Sequence, residues 1–215
     1  MSIYRKTKFD EEINQIWLIY TNSFEYYNCL KQIRKYEKTR FSDSRFLSFI
    51  TYTSWYILII ELCKVYQNDN NNQHFNIYGL LNRLVNNYKN LEFRSMISLS
   101  DIRKYSDDFN SPKIIDIRKR LVELRDKFYA HIDRQDQNFE REISLTYDEI
   151  EYLLKTLQNF IIEIKQKVSN GHAEFSEDIF VDLTSVLKAT EYYNKKNLEE
   201  YMQRLDDESK RFKSE

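Results

Sequence analysis

The chain has 215 residues, 41% of them hydrophobic, enough for one domain core with an appendage. Two glycines and one proline exclude hairpins, Gly-rich phosphate loops and βαβ crossovers as organising elements, so an all-α protein is expected. A formal charge of −1 excludes a global electrostatic footprint for nucleic acid, and any RNA or DNA contact must use a local basic patch.

The start, MSIYRKTKFDEE, lacks the apolar stretch of a secretory signal. The first helix is expected to begin near Asp10, with Glu11 and Glu12 suited to the positive end of its dipole. Ile13, Ile16, Trp17, Tyr20, Phe24, Tyr27, Leu30 and Ile33 then keep helical spacing. The second helix follows the polar FSDSR segment and is the most apolar run, FLSFITYTSWYILIIELCKVY. Ser48, Thr51, Thr53, Ser54, Glu61 and Lys64 interrupt it, so it reads as a central buried helix and not a membrane span. A cytoplasmic protein without membrane contact is expected, with Cys29 and Cys63 as reduced, buried thiols matching no disulfide framework or zinc spacing.

After the low-complexity loop NDNNNQH, Asn76 is placed to cap a third helix with the stripe Ile77, Leu80, Leu81, Leu84, Val85 and Tyr88. The less regular region 91–110 is expected to hold one short helix near Ser100–Tyr105. Ser111-Pro112 combines a capping hydroxyl with proline at the first helical position. From there Ile114, Ile117, Leu121, Leu124 and Phe128 form one stripe. A polar connection, 133–144, leads to Thr146-x-x-Glu149, a capping box flanked by the hydrophobic staple Leu145 and Ile150. That helix carries Ile150, Leu153, Leu154, Leu157, Ile161, Ile164 and Val168 and ends at Asn170-Gly171. Beyond it Ser176 can cap a helix with Ile179, Phe180, Leu183, Val186 and Leu187, and the charged tail is expected to fray. The organisation expected is a helical bundle over 1–170 and a helical extension over 171–215, with no internal repeat.

The motif helix ends in LRDKFYAHIDR, which holds one of three histidines in the chain. On an ideal helix, residues six apart differ by about 120° in direction and about 9 Å along the axis. Arg125 and His131 therefore do not share one face of one straight helix. A second copy crossing here would gather two arginines and two histidines into one cleft, so the geometry favours a shared two-fold site. Imidazole exchanges protons near neutral pH, and guanidinium forks onto phosphate oxygens and offsets charge building on phosphorus. Together they match metal-free cleavage of RNA by attack of the ribose 2′-hydroxyl. The surrounding cations Lys113, Arg118, Lys119, Arg120, Lys127 and Arg134 are diluted by Asp116, Glu123, Asp126 and Asp133.

The run Arg125-Asp126-Lys127-Phe128-Tyr129-Ala130-His131 resembles the signature of the HEPN superfamily, closest to its AbiU-like abortive-infection branch. The family pattern is an Arg, a polar residue, then a His four to six residues after the Arg, late in a helical bundle. The order of elements over roughly residues 10–168 also resembles that family; the last 45 or so residues do not. The resemblance implies a dimeric, metal-independent endoribonuclease fold serving phage defence or a toxin–antitoxin pair. It makes Arg125 and His131 catalytic, with Asp126 in support. Some relatives carry a tyrosine two residues after the His, which a partner nucleotidyltransferase modifies; this chain departs with Asp133 there, and Tyr129 is not equivalent.

Plainer readings stand beside these. Arg125 and His131 also suit a helix C-terminus, where cations favour the last carbonyls. Asp126 also suits a surface ion pair, and Glu61 a pair with a nearby base. His74 and His172 read as surface residues, and no Glu-x-x-His pairs of a di-metal bundle are present. The expectation is an all-α HEPN-type bundle of four to five main helices with an added C-terminal helix, forming a two-fold dimer. Arg125, Asp126 and His131 are its catalytic residues, Lys127, Arg118 and Arg134 its RNA contacts. No metal or cofactor is expected, and an antitoxin or defence protein is the partner anticipated. The rival is a helical adaptor that keeps the dimer but only binds a protein or RNA.

Overall fold

With so few helix breakers, the chain coils wherever an apolar stripe can find a neighbour. The computed structural model describes residues 3–35, 45–68, 75–126, 144–169 and 181–212. They form seven α-helices: α1 (Lys6–Arg34), α2 (Arg45–Tyr66), α3 (Ile77–Asn86), α4 (Leu99–Phe109), α5 (Pro112–Leu124), α6 (Tyr147–Ser169) and α7 (Val181–Phe212). A 3₁₀ turn, Tyr88–Asn90, follows α3, and Tyr4 makes an isolated bridge to Leu91. The described residues are all-helical, as the all-α bundle expected from the sequence requires. The chain divides into two compact units, Met1–Phe175 and Ser176–Glu215.

In the first unit α1 packs on α2 and α6, α2 on α3 and α5, and α3 on α4. The predicted stripes supply the core: Ile13, Ile16, Tyr20, Tyr27 and Leu30 from α1, and Ile150, Leu153, Leu157, Ile161 and Ile164 from α6. Fully burying each such side chain contributes about 1.5–3 kcal/mol. By length and composition α2 is the one described helix able to cross a membrane. Its C-terminal half is nonetheless the centre of the bundle, with Leu58, Ile59, Leu62, Val65 and Tyr66 buried. Phe46, Phe49 and Tyr52 near its start are exposed.

Tyrosine suits this core where its hydroxyl reaches an acceptor. Tyr66 donates to the Leu153 carbonyl at 2.6 Å, Tyr78 to that of Phe109 at 2.9 Å, and Tyr105 to Glu163 at 3.0 Å. Both cysteines are buried thiols in no disulfide; Ser54 donates to Cys29 Sγ, and Cys63 donates to the Leu121 carbonyl.

Two starts follow the sequence signals. Asn76 accepts from the Gly79 amide, and a side chain at Gly79 would press its Cβ to 2.9 Å from that capping oxygen. Thr146 and Glu149 cap α6 reciprocally: the Thr146 amide donates to Glu149 Oε2 at 2.8 Å, and the Glu149 amide to Thr146 Oγ1 at 3.2 Å.

Four expectations are corrected. Helix α1 begins at Lys6, ahead of Asp10. Its first amide donates to the Glu92 carboxylate at 2.7 Å, and Tyr4 is pinned between Asn90 and Glu92 by two backbone bonds. Glu12, expected at the dipole end, is buried instead and accepts from Tyr4 and Arg83. The short helix expected near Ser100–Tyr105 is α4, with eleven residues and a capping box of Ser98 and Asp101. Ser111 precedes Pro112 at the start of α5, but its hydroxyl is buried and makes no capping bond.

In the second unit α7 runs as one helix of 32 residues through the charged stretch expected to fray. Its Lys, Glu, Leu, Arg and Met residues are strong helix formers, and oppositely charged neighbours four apart reinforce it. The proposed cap Ser176, with Ile179 and Phe180, lies outside the described residues.

A candidate active site at the end of α5

Helix α5 is fixed before it reaches Arg125. Ile114, Ile117 and Leu121 are buried along its inner stripe. Arg120 then clamps it to the start of α6: its guanidinium donates to Glu149 at 2.6 and 3.1 Å, to Asp116 at 2.8 Å and to the Ser144 carbonyl at 2.8 Å. This paired, charge-assisted geometry is the strong form of the interaction. The Arg120 guanidinium holds the Glu149 carboxyl down to about 2, aided by the Thr146 bonds and opposed by desolvation.

Past Leu124 the backbone changes. Arg125 and Asp126 enter a wider π-type turn, a distortion often associated with functional positions. The Arg125 side chain reaches the end of α2. Its Nη1 donates to the side-chain oxygen of Gln67, the residue just past the end of α2. Its Nε donates to Asp126 Oδ1 at 2.8 Å, and its Nη2 lies 2.6 Å from the same oxygen. The Arg125 side chain is a quarter exposed, that of Asp126 about half.

Beside this pair lies a cleft of about 440 Å³, lined by Gln67, Asn68, Arg118, Lys119, Val122, Glu123 and Asp126. Its chemistry is mixed, with cations and acids facing the same space. The guanidinium of Arg118 lies 4.9 Å from the centre of the Tyr78 ring, and its Nη1 is buried without a hydrogen-bond partner among the described residues. Burial pushes the Tyr78 hydroxyl up, and the Arg118 charge pulls it back.

The structure therefore brings together three of the six expected site residues, Arg118, Arg125 and Asp126. His131, Lys127 and Arg134 lie outside the described residues. The other cations near the motif serve different ends. Arg120 is committed to Glu149 and Asp116, and Lys113 lies 3.7 Å from the centre of the Tyr152 ring. Glu61 pairs with Lys64 and stays out of the cleft lining. No group of acids, cysteines and histidines able to hold a metal ion occurs among the described residues.

Gln67 was not foreseen as a site residue. In sequence it stands 58 positions from Arg125, between the apolar α2 and a polar loop, where a glutamine looks like the first residue of solvent-exposed chain. Its exposure of only 5% is the signal that sequence alone could not carry.

The arrangement offers a guanidinium held at a cleft edge by a carboxylate and a neutral amide, with a second half-buried guanidinium beside it. A guanidinium so placed can receive an anion with several oxygens. No curated protein and no solved structure matches the chain. The model of the HEPN_AbiU2 family, described as AbiU2, matches residues 6–184, from the first turn of α1 into α7 and further than the resemblance over 10–168. The chain belongs to the HEPN_AbiU2 family.

Proposed function

We propose that the chain is a metal-independent endoribonuclease of the HEPN type, acting in the cytoplasm as a homodimer in phage defence or as the toxin of a toxin–antitoxin pair. The observation carrying this reading is the Arg125 guanidinium, held by Gln67 and Asp126 where both line a cleft of about 440 Å³, in a chain of the HEPN_AbiU2 family. In the proposed reaction His131 takes the proton of a ribose 2′-hydroxyl, whose oxygen attacks the adjacent phosphorus. The bond from phosphorus to the 5′-oxygen breaks, and that oxygen takes a proton from the His131 of a second copy. The products are a 2′,3′-cyclic phosphate and a 5′-hydroxyl. Arg125 offsets charge growing on the non-bridging oxygens, and Asp126 orients Arg125. Arg118, Lys127 and Arg134 would contact flanking phosphates, a role that Arg118 shares with its stacking on Tyr78.

A second reading is a non-catalytic adaptor that binds a protein or RNA. It draws on α7, where Tyr192, Tyr193, Tyr201, Met202 and Leu205 are exposed along one helix. Such a long helix with large exposed apolar groups suits a protein partner, an antitoxin among them.

The test compares the wild type with His131→Ala, both verified as dimers, on total RNA in EDTA. Cleavage with cyclic-phosphate ends by the wild type alone is expected. Equal cleavage by both would remove His131 from the reaction. No cleavage by either protein, with a cellular effect kept in His131→Ala and lost on cutting away α7, would favour the adaptor.

A further inference from the structure

We infer that Gln67 is a positioning residue for Arg125, so that the end of α2 forms part of the site together with the motif at the end of α5. This rests on the ribonuclease reading for its catalytic consequence, but the contact itself does not. A guanidinium carries donors only, so the Gln67 atom facing Arg125 Nη1 must be its carbonyl oxygen, and the amide orientation is settled by chemistry.

Gln67 is built to hold that oxygen still. Its backbone amide donates to the Cys63 carbonyl at 2.9 Å, continuing α2 by one residue, and the preceding Val65 and Tyr66 are fully buried. Tyr66 is tied in turn to the Leu153 carbonyl of α6. On the other side, Cys63 donates to the Leu121 carbonyl, one turn before Arg125. The donor and acceptor of the Arg125–Gln67 bond are thus both fixed to the same stretch of core. A buried glutamine at 5% exposure must satisfy its carbonyl, and the guanidinium does so.

The choice of an amide matters. Asp126 holds Arg125 through a full negative charge and so competes with a phosphate for the guanidinium. Gln67 holds it through a neutral dipole and leaves its charge for the substrate. One acceptor restrains the arginine from inside the bundle, the other from the surface, and a phosphate need displace only the exposed one. A shift of about 1 Å in a charge-stabilising group costs up to a hundredfold in rate, so loss of the inner hold has a large catalytic effect.

Two substitutions separate positioning from packing. Gln67→Met keeps the volume and removes the acceptor; Gln67→Glu keeps the acceptor and adds a charge. Each full-length variant is compared with the wild type and Arg125→Ala by side-chain ¹⁵N NMR of the Arg125 guanidinium and by single-turnover cleavage of a ribo-oligonucleotide. Gln67→Met is expected to broaden or shift the Arg125 signals and to lower the cleavage rate about tenfold to a hundredfold, with no further loss when added to Arg125→Ala. Gln67→Glu is expected to keep the signals ordered while weakening substrate binding. Unchanged Arg125 signals in Gln67→Met, or a rate loss that simply adds to that of Arg125→Ala, would overturn the inference. A wild type that cleaves no RNA but shows the signal change would support the Arg125–Gln67 hold and refute the ribonuclease reading instead.

Discussion

Arg120 and Arg125 stand on the same helical segment, five residues apart, and each touches a carboxylate, yet they do opposite work. Arg120 faces two acids from two elements, Asp116 and Glu149, and adds the Ser144 carbonyl. Its charge is answered by acids from two elements, and what results is a clamp between α5 and the start of α6. Arg125 faces one acid, its own neighbour Asp126, and a neutral amide from α2. Its charge is answered only in part, on the exposed side, next to a cleft. A motif names an arginine, but the partners decide whether its charge is spent on the fold or left for a ligand.

Removing each arginine should sharpen that contrast. Arg125→Ala is expected to lower RNA cleavage by about a hundredfold or more, the loss typical of removing a transition-state donor. Its thermal midpoint should fall less than that of Arg120→Ala, because Arg125 gives up one acid, its own neighbour, and the Gln67 bond, where Arg120 gives up two acids and a carbonyl. Arg120→Ala should do the reverse. It is expected to cost about 1–2 kcal/mol of stability, read by denaturant unfolding, with the cleavage rate of the folded fraction changed only a few-fold. If Arg120→Ala abolishes cleavage at full stability, the division of labour between the two is wrong.

Acid breaks the same clamp without a mutation. The Glu149 carboxyl titrates near 2 in the folded chain against 4.5 for the ordinary group, mainly because of Arg120. Its contribution is therefore complete above about pH 4.5 and is lost as pH falls toward 2. Unfolding midpoints measured from pH 6 down to pH 3 should fall less steeply in Arg120→Ala than in the wild type. The smallest effect expected is from Thr146→Ala, about 1 kcal/mol, because it removes one side of the capping box and leaves the Arg120 pair in place.

The starts of α1 and α6 show where sequence reading succeeds and fails. Helix α6 is capped by Thr146 and Glu149, three residues apart, so its signal is written in adjacent chain and the start is read correctly. Helix α1 is capped by Glu92, which comes 86 positions after the amide it serves. No window of sequence around Asp10 contains that partner, and local acids drew the start too far along. Glu12 misleads for the same reason, since its Arg83 and Tyr4 contacts turn a dipole acid into a buried ion pair. Ser111 errs the other way: the local signal is present, and its hydroxyl forms no capping bond.

The candidate site divides along the same line. Arg125 and Asp126 were legible because a motif is a local pattern, and the apolar stripe Ile114, Ile117, Leu121 placed them at the end of a buried helix. Gln67 was not, because its role comes from a contact across the bundle. By itself the sequence determined that this chain is helical, which faces of its helices are apolar, and which family its short motif resembles. These properties depend on periodicity and neighbours a few residues apart. Only the tertiary structure decided where α1 starts, which arginine is a clamp and which is left at a cleft, and that a glutamine from α2 reaches Arg125. Each of those depends on charged or polar groups distant in sequence that burial forces to find one another.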